Sequence, residues 1–228
     1  MSIELINIYN KLYNDSIQKI KSDQYEMDDQ IDSSLDKRSG ITLLVRPDEQ
    51  VRHRILKFLA DLQAIEPEQY YYPSSDMHIT VMPIIACYEE FDLNQIVVQD
   101  YIDLIQKCLS SQKNITIKFK GITASPSCIM IQGFPQQQVL DELRNDMRTV
   151  FKASPLQQSI DKRYSLQTAH ITVVRFRKPF TAKEEFLKIL ENFKDYDFGE
   201  TTINELELVH NDWYLRDNFV KTLFRFKV

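Results

Sequence analysis

Only four glycines occur in the 228 residues, Gly40, Gly121, Gly133 and Gly199, and none are grouped. That scarcity excludes a Walker-type phosphate loop, which needs clustered glycines so that successive backbone N–H groups can turn toward the phosphates. A Gly-x-Ser-x-Gly elbow is absent too, which removes the usual signature of an activated serine. An ATP-dependent reaction is therefore not expected. The three cysteines, Cys87, Cys108 and Cys128, are an odd number without Cys-x-x-Cys spacing, so they read as reduced packing residues of a cytoplasmic protein. No apolar run approaches the roughly 18 residues of a membrane-spanning helix, and the N-terminus has no signal-peptide core. Positive charge is also short, with 28 Lys and Arg against 33 Asp and Glu and a net charge of −5. Long nucleic acid needs a basic face, so the charge favours a nucleotide or a short RNA end as partner.

What remains is an ordinary globular composition, 43% hydrophobic and 27% charged. A chain of this length buries roughly 70% of its unfolded surface, ample for a core.

Histidine is scarce as well, yet two of the four histidines head the same tetrapeptide: His78-Ile79-Thr80-Val81 and His170-Ile171-Thr172-Val173. Both copies are β-branched and bounded by turn-formers, which suits short buried strands. In a strand, residues i and i+2 share a face about 7 Å apart. Each His therefore stands beside its Thr. One copy alone reads as a satisfied polar pair on a half-buried sheet; two copies in so His-poor a chain point to a site. Two imidazoles titrate near working pH and can divide the work of base and acid, while hydroxyls can donate to oxygens that gain charge in a transition state. That inventory suits cleavage or transfer of a phosphodiester. It fits a metal poorly, because two histidines leave a zinc site incomplete and no third ligand stands at helical or strand spacing from either.

With its paired His-x-Thr motifs the chain resembles the 2H phosphoesterase superfamily, the 2′-5′ RNA ligase-like or cyclic-phosphodiesterase-like family. The stretches 40–47, 66–73 with Asp76-Met77-His78, and 131–135 resemble its bacterial branch. The resemblance covers roughly residues 40–228 and implies an α+β, bilobal fold: two lobes of antiparallel sheet related by a pseudo-twofold axis, helices outside, a central cleft between. It implies that His78 and His170 flank the scissile phosphate as base and acid, that Thr80 and Thr172 hold its non-bridging oxygens, and that neither metal nor organic cofactor is needed. The implied reaction is hydrolysis of a 2′,3′-cyclic phosphate or a 2′-5′ phosphodiester of a nucleotide or short RNA, or its reversal as ligation. The alternative is a non-catalytic nucleotide-binding or scaffold module of the same fold.

Along the chain, Ile6, Tyr9, Tyr13, Ile17 and Ile20 fall at three- and four-residue steps and predict an amphipathic helix, packed on the catalytic unit or self-associating with another subunit. Residues 21–38 are polar and acidic and read as a linker or exposed helix end, so 1–39 is set apart from the duplicated domain 40–228. Within the latter, a strand-helix-strand-helix-strand order repeats, with lobes about 40–120 and 121–228 that can exchange strands. The first pass has strands at 41–45, the first motif and 114–119, with helices through Val51–Leu62 and Leu93–Cys108. The second has strands at 127–133 and the second motif, helices through Leu140–Val150 and Phe186–Phe193, and strands near 203–209 and 219–227.

Aromatic residues near the motifs are candidates for base contact: Tyr72, Phe134, Trp213 and Tyr214, since stacking on a ring contributes roughly 1–3 kcal/mol. Strand alternation puts 170, 172 and 174 on the site face if no bulge intervenes, so Arg175 and Arg177 are expected to point away. His53 reads as exposed on a helix, and His210, before Asn-Asp, as a turn residue.

Overall fold

The computed structural model describes residues 2–109 and 115–228. In chain order its elements are α1 (Ile3–Lys21), β1 (Ser39–Val45), α2 (Glu49–Ile65), β2 (Tyr70–Tyr71), β3 (Ile79–Tyr88), α3 (Val98–Leu109) and β4 (Ile115–Ser125). Then follow β5 (Cys128–Pro135), α4 (Val139–Ala153), β6 (Ile171–Arg175), α5 (Lys183–Phe193), β7 (Asp197–Ile203), β8 (Glu205–Asp212) and β9 (Lys221–Lys227). The strands make two antiparallel sheets, β3-β1-β8-β9 and β2-β6-β5-β4-β7.

Apart from the two-residue edge strand β2, the two orders correspond place for place. β6 stands where β3 does, β5 where β1 does, β4 where β8 does and β7 where β9 does. Each sheet therefore takes strands from both halves of the chain: β8 and β9 join β3 and β1, and β2 and β4 join β6, β5 and β7. This is an α+β fold with antiparallel sheets and helices outside them.

The helical stripes supply the packing. Val51, Ile55, Phe58, Leu59 and Leu62 of α2 and Leu140, Leu143, Met147 and Phe151 of α4 are all buried, as a 3.6-residue period requires of a core-facing side. Asp48 starts α2 by accepting a hydrogen bond from the Val51 N–H at 2.9 Å, which satisfies one of the helix's unpaired donors. The main apolar core joins residues of both sheets and all five helices, among them Leu43, Phe58, Ile105, Phe119, Met147 and Leu190, with Tyr13 and Ile17 contributed by α1.

The N-terminal stripe packs on the same chain. Tyr9, Tyr13, Ile17 and Ile20 are buried, Ser16 Oγ donates to Ala124 O at 3.0 Å, and Thr123 Oγ1 donates to Tyr9 O at 3.0 Å. The polar segment after α1 is neither helical nor loose. Its Glu26 and Asp28 N–H groups donate to Pro126 O and Phe176 O at 2.8 and 2.7 Å, and Ile31 is buried.

Some element boundaries differ from the periodicity. The strand expected near 203–209 is two strands, β7 and β8, divided at Asn204. Leu93 belongs to a short 3-10 turn ahead of α3. β4 runs on to Ser125, and Asn114, where that strand was expected to begin, lies outside the described residues.

Candidate active site

Both motif strands carry a bulge at the same place. β3 pairs Met82 with Leu43 and then Thr80 with Leu44, which leaves Val81 as the extra residue. β6 pairs Val174 with Ile129 and then Thr172 with Met130, which leaves Val173 extra. An extra residue resets the alternation of side chains. Val81 and Met82 are consequently buried together, as are Val173 and Val174. The cavity-facing series becomes 78, 80, 83 on one strand and 170, 172, 175 on the other.

His78, Thr80, His170 and Thr172 thus line one cavity between the sheets. Arg175 joins them, against the expectation that it points away, because Val173 breaks the alternation on which that expectation rested. Its counterpart on β3 is Pro83, so the two motif strands do not contribute equal charge to the cavity. Arg175 Nε donates to Tyr72 Oη at 2.9 Å and Nη1 to Asp28 Oδ2 at 3.2 Å. Nη2 has no protein partner among the described residues. The Thr80 and Thr172 hydroxyls are likewise unengaged by protein among the described residues.

The two imidazoles are held differently. His78 Nδ1 lies 2.7 Å from the carbonyl oxygen of Asp76. A carbonyl only accepts, so Nδ1 carries a hydrogen, and the neutral ring leaves its lone pair on Nε2. His170 Nδ1 lies 2.7 Å from Thr168 Oγ1, a hydroxyl that can donate or accept. Burial pushes both histidines down to about 4, and the positive charges of Arg46 and Arg175 near His78 and of Arg144 and Arg175 near His170 act in the same direction. Both are therefore neutral at pH 7. A phosphate anion between them reverses part of that shift, because it favours the charged imidazolium.

Beneath the cavity floor lies Arg144 of α4, 1% exposed. Its Nε donates to Val81 O at 3.0 Å, and Nη2 to Thr80 O at 3.0 Å and Thr168 O at 2.8 Å. One guanidinium therefore ties motif strand β3 to the segment that leads into β6. Nothing in its sequence context marked it out: it sits in an ordinary amphipathic helix.

Of the four aromatic candidates, only Trp213 lines the cavity. The Arg38 and Arg163 guanidiniums lie over its ring, 4.7 and 4.5 Å from the centroid, so the indole already holds two cations. Tyr72 and Tyr214 are buried one layer back, where both touch Arg175: Tyr72 through its hydroxyl, Tyr214 through its ring face at 5.1 Å. Phe134 is buried edge-on to Tyr9 at 5.3 Å. Exposed Tyr164 and Arg163 at the cavity rim, and Asn211 and Cys87 in its wall, had no signal in the sequence.

The remaining histidines stay out of the site. His53 is exposed on α2. His210 corrects its reading as a turn residue: it lies within β8, opposite Ile41 and Lys221, because Asn211 and Asp212 continue the ladder with Gly40 and Ser39. Among the described residues no three His, Cys, Asp or Glu side chains gather as a metal-ligand set, and no helix is long and apolar enough to cross a membrane.

The geometry can be set beside known proteins. The sequence profile of the AKAP7 2′5′ RNA ligase-like domain matches residues 42–222. No curated protein matches the chain in sequence. Among solved structures, TT0787 of Thermus thermophilus superposes with a TM-score of 0.57 at 15% identity, over 83% of this chain and 97% of its own. LigT of E. coli, complexed with 3′-AMP, gives 0.55 at 13% identity, over 84% and 98%. A protein of unknown function, ATU0111 from Agrobacterium tumefaciens, gives 0.54 at 15% identity, over 91% and 97%. At such identities the likeness is one of fold.

Proposed function

The chain belongs to the family of AKAP7 2′5′ RNA ligase-like domains, within the 2H phosphoesterase superfamily, and from that premise we propose that it is a phosphoesterase acting on a 2′,3′-cyclic phosphate or a 2′-5′ phosphodiester of a nucleotide or short RNA. The observation that carries the proposal is the pair of equivalent bulged strands that turn His78 with Thr80 and His170 with Thr172 into one cavity. LigT of E. coli, similar in fold, is seen with 3′-AMP and with phosphate, which supports a nucleotide as ligand here.

Each group then has a task that its surroundings suit. Thr80, Thr172 and Arg175 Nη2 donate to the non-bridging phosphate oxygens, which gain charge in the transition state. The bound anion draws one proton onto the imidazole pair. His78, whose neutral form is fixed with a bare Nε2, removes the proton from water, and the new oxygen–phosphorus bond forms. His170, protonated, gives its proton to the departing ribose oxygen as the old bond breaks. The product is a phosphomonoester beside a free hydroxyl, and the histidines exchange protons with solvent to reset. The same steps, with an RNA 5′-hydroxyl in place of water attacking the 2′,3′-cyclic phosphate, form a 2′-5′ bond as the bond to the ribose 3′-oxygen breaks and that oxygen takes the proton from His170.

The test is incubation with the four 2′,3′-cyclic nucleotides and a short RNA ending in a cyclic phosphate, in EDTA, beside His78→Ala and His170→Ala. Each substitution is expected to lower kcat by roughly 10²–10⁴ without unfolding the chain. Near-normal turnover by either folded variant would sink the mechanism. A p-nitrophenyl ester separates the two roles, since its leaving group needs no proton: it should restore much of the rate to His170→Ala and none to His78→Ala. Binding without turnover would make the protein a nucleotide-binding module.

A further inference from the structure

The backbone leading into His170 is not held by its own sheet. The β5–β6 ladder ends at Ile131 opposite Ile171, and the next rung would join Gly133 to Ala169. A phenol takes that rung instead. Tyr9 Oη, from α1, accepts hydrogen bonds from Ala169 N–H at 3.1 Å and Gly133 N–H at 3.3 Å and donates to Gly133 O at 3.0 Å. All of its hydrogen-bonding capacity is thereby used. Tyr9 is 0% exposed, and burial raises its hydroxyl to about 12, so it stays a donor at any working pH. Gly133 is required there, because a Cβ would run into Ala169 O. On the other side, Arg144 holds Thr168 O, and Thr168 Oγ1 meets the His170 ring. Residues 168 and 169 are thus pinned by two buried side chains that reach in from α4 and α1.

We propose that Tyr9 is a positioning residue for His170, which makes helix α1 part of the active unit although it lies outside the family-matched residues 42–222. The inference rests on His170 being a proton-transfer group, and it deepens that reading by naming what aims the ring. Thr123 Oγ1, bonded to Tyr9 O, and Ser16 Oγ, bonded to Ala124 O, fix the helix against β4, so the phenol is delivered from a rigid base. A misplacement of about 1 Å at a reacting group can cost roughly 100-fold in rate.

The experiment compares full-length wild type, Tyr9→Phe and Tyr13→Phe. The last removes a hydroxyl of the same helix that faces Glu191 instead. Imidazole nitrogen resonances of His78 and His170 are read with inorganic phosphate as probe, and kcat and KM are read with whichever cyclic nucleotide is turned over. For Tyr9→Phe the expected result is a moved and broadened His170 signal with His78 unchanged, and kcat lowered roughly 10- to 100-fold at nearly constant KM. Tyr13→Phe should leave both signals in place. An unmoved His170 in folded Tyr9→Phe overturns the proposal, as does an equal disturbance of both histidines, which would mean general loosening. Should Tyr9→Phe not fold, hydrogen exchange in the wild type decides: the Ala169 amide should exchange with the protection of α1, and rapid exchange of Ala169 while α1 is protected overturns the idea. The resonances need no turnover, so a protein that cleaves no nucleotide would defeat the functional reading while this test still reports.

Discussion

Arg175 and Arg144 show how one side-chain type does two jobs a short distance apart. Arg175 lines the cavity with two of its nitrogens held by Tyr72 and Asp28, so its head is fixed in place and its charge partly balanced. Hydrogen bonds to charged groups contribute about 1.5–3 kcal/mol. Arg175→Met should therefore raise the Kd for inorganic phosphate roughly 10- to 100-fold, measured by calorimetry, while the fold persists; an unchanged Kd would remove Arg175 from the ligand's contacts. Arg144 is a different case. Its one nearby carboxylate, Asp141, is 3.7 Å away and mostly exposed, so three carbonyls hold it, and burial lowers it to about 10. Arg144→Met strands the carbonyls of Thr80, Val81 and Thr168 at once. The expected loss is about 3 kcal/mol or more, read as a fall in the urea midpoint, and Arg144→Lys should recover little because an ammonium cannot reproduce the fork. Neither arginine could be assigned from the sequence. The side to which Arg175 points depends on a bulge set by pairing with a strand about forty positions away, and Arg144 looks like any residue on an amphipathic helix.

At the scale of elements, what could be read was whatever a segment encodes by itself. The stripes of α1, α2, α4 and α5 have helical periods that no neighbour has to supply, and both His-x-Thr strands are β-branched. β7 is the counter-example. Its sequence Asp-Phe-Gly-Glu-Thr-Thr-Ile contains three residue types depleted in strands, and it is a strand because it pairs with β4 from Ile115 to Lys120. The start of α5 is another borrowed feature. No side chain of its own caps the helix; Glu66, 1% exposed, accepts from the Thr181 and Ala182 N–H groups at 2.7 and 2.5 Å. A carboxylate at a helix N-terminus satisfies free donors and meets the positive end of the dipole. Glu66→Ala should cost about 2 kcal/mol and lower Tm, with Glu66→Gln intermediate because it keeps an acceptor but not the charge; equal melting of all three would show that the cap contributes nothing. The stretch around Glu66 supports its family likeness in sequence, yet its physical task is to join α2 to α5.

The whole molecule is stabilised and strained by the same cleft. The repeated element order, and with it the option of strand exchange between lobes, can be read along the chain; which strands change sheets cannot, since exchange leaves each segment's own pattern unchanged. That architecture places two histidines in one cavity, and the result is a dependence on pH. Both are held at about 4 in the folded chain against about 6.5 when unfolded. Between these values the unfolded chain binds more protons than the folded one, so stability is fully present above about pH 6.5 and falls as pH drops toward 4. Each histidine can contribute up to about 3 kcal/mol of that loss. The double substitution His78→Gln, His170→Gln removes both groups while keeping polar side chains in the cavity. Its urea midpoint should fall less between about pH 7 and pH 4.5 than that of the wild type, with the carboxylates common to both proteins cancelling in the comparison. Saturating inorganic phosphate should flatten the wild-type curve as well, because an anion between the rings stabilises the protonated folded state. Identical slopes for the two proteins would mean that the cleft admits enough water to let both histidines titrate normally, and the two-histidine site would then work without the desolvation assigned to it.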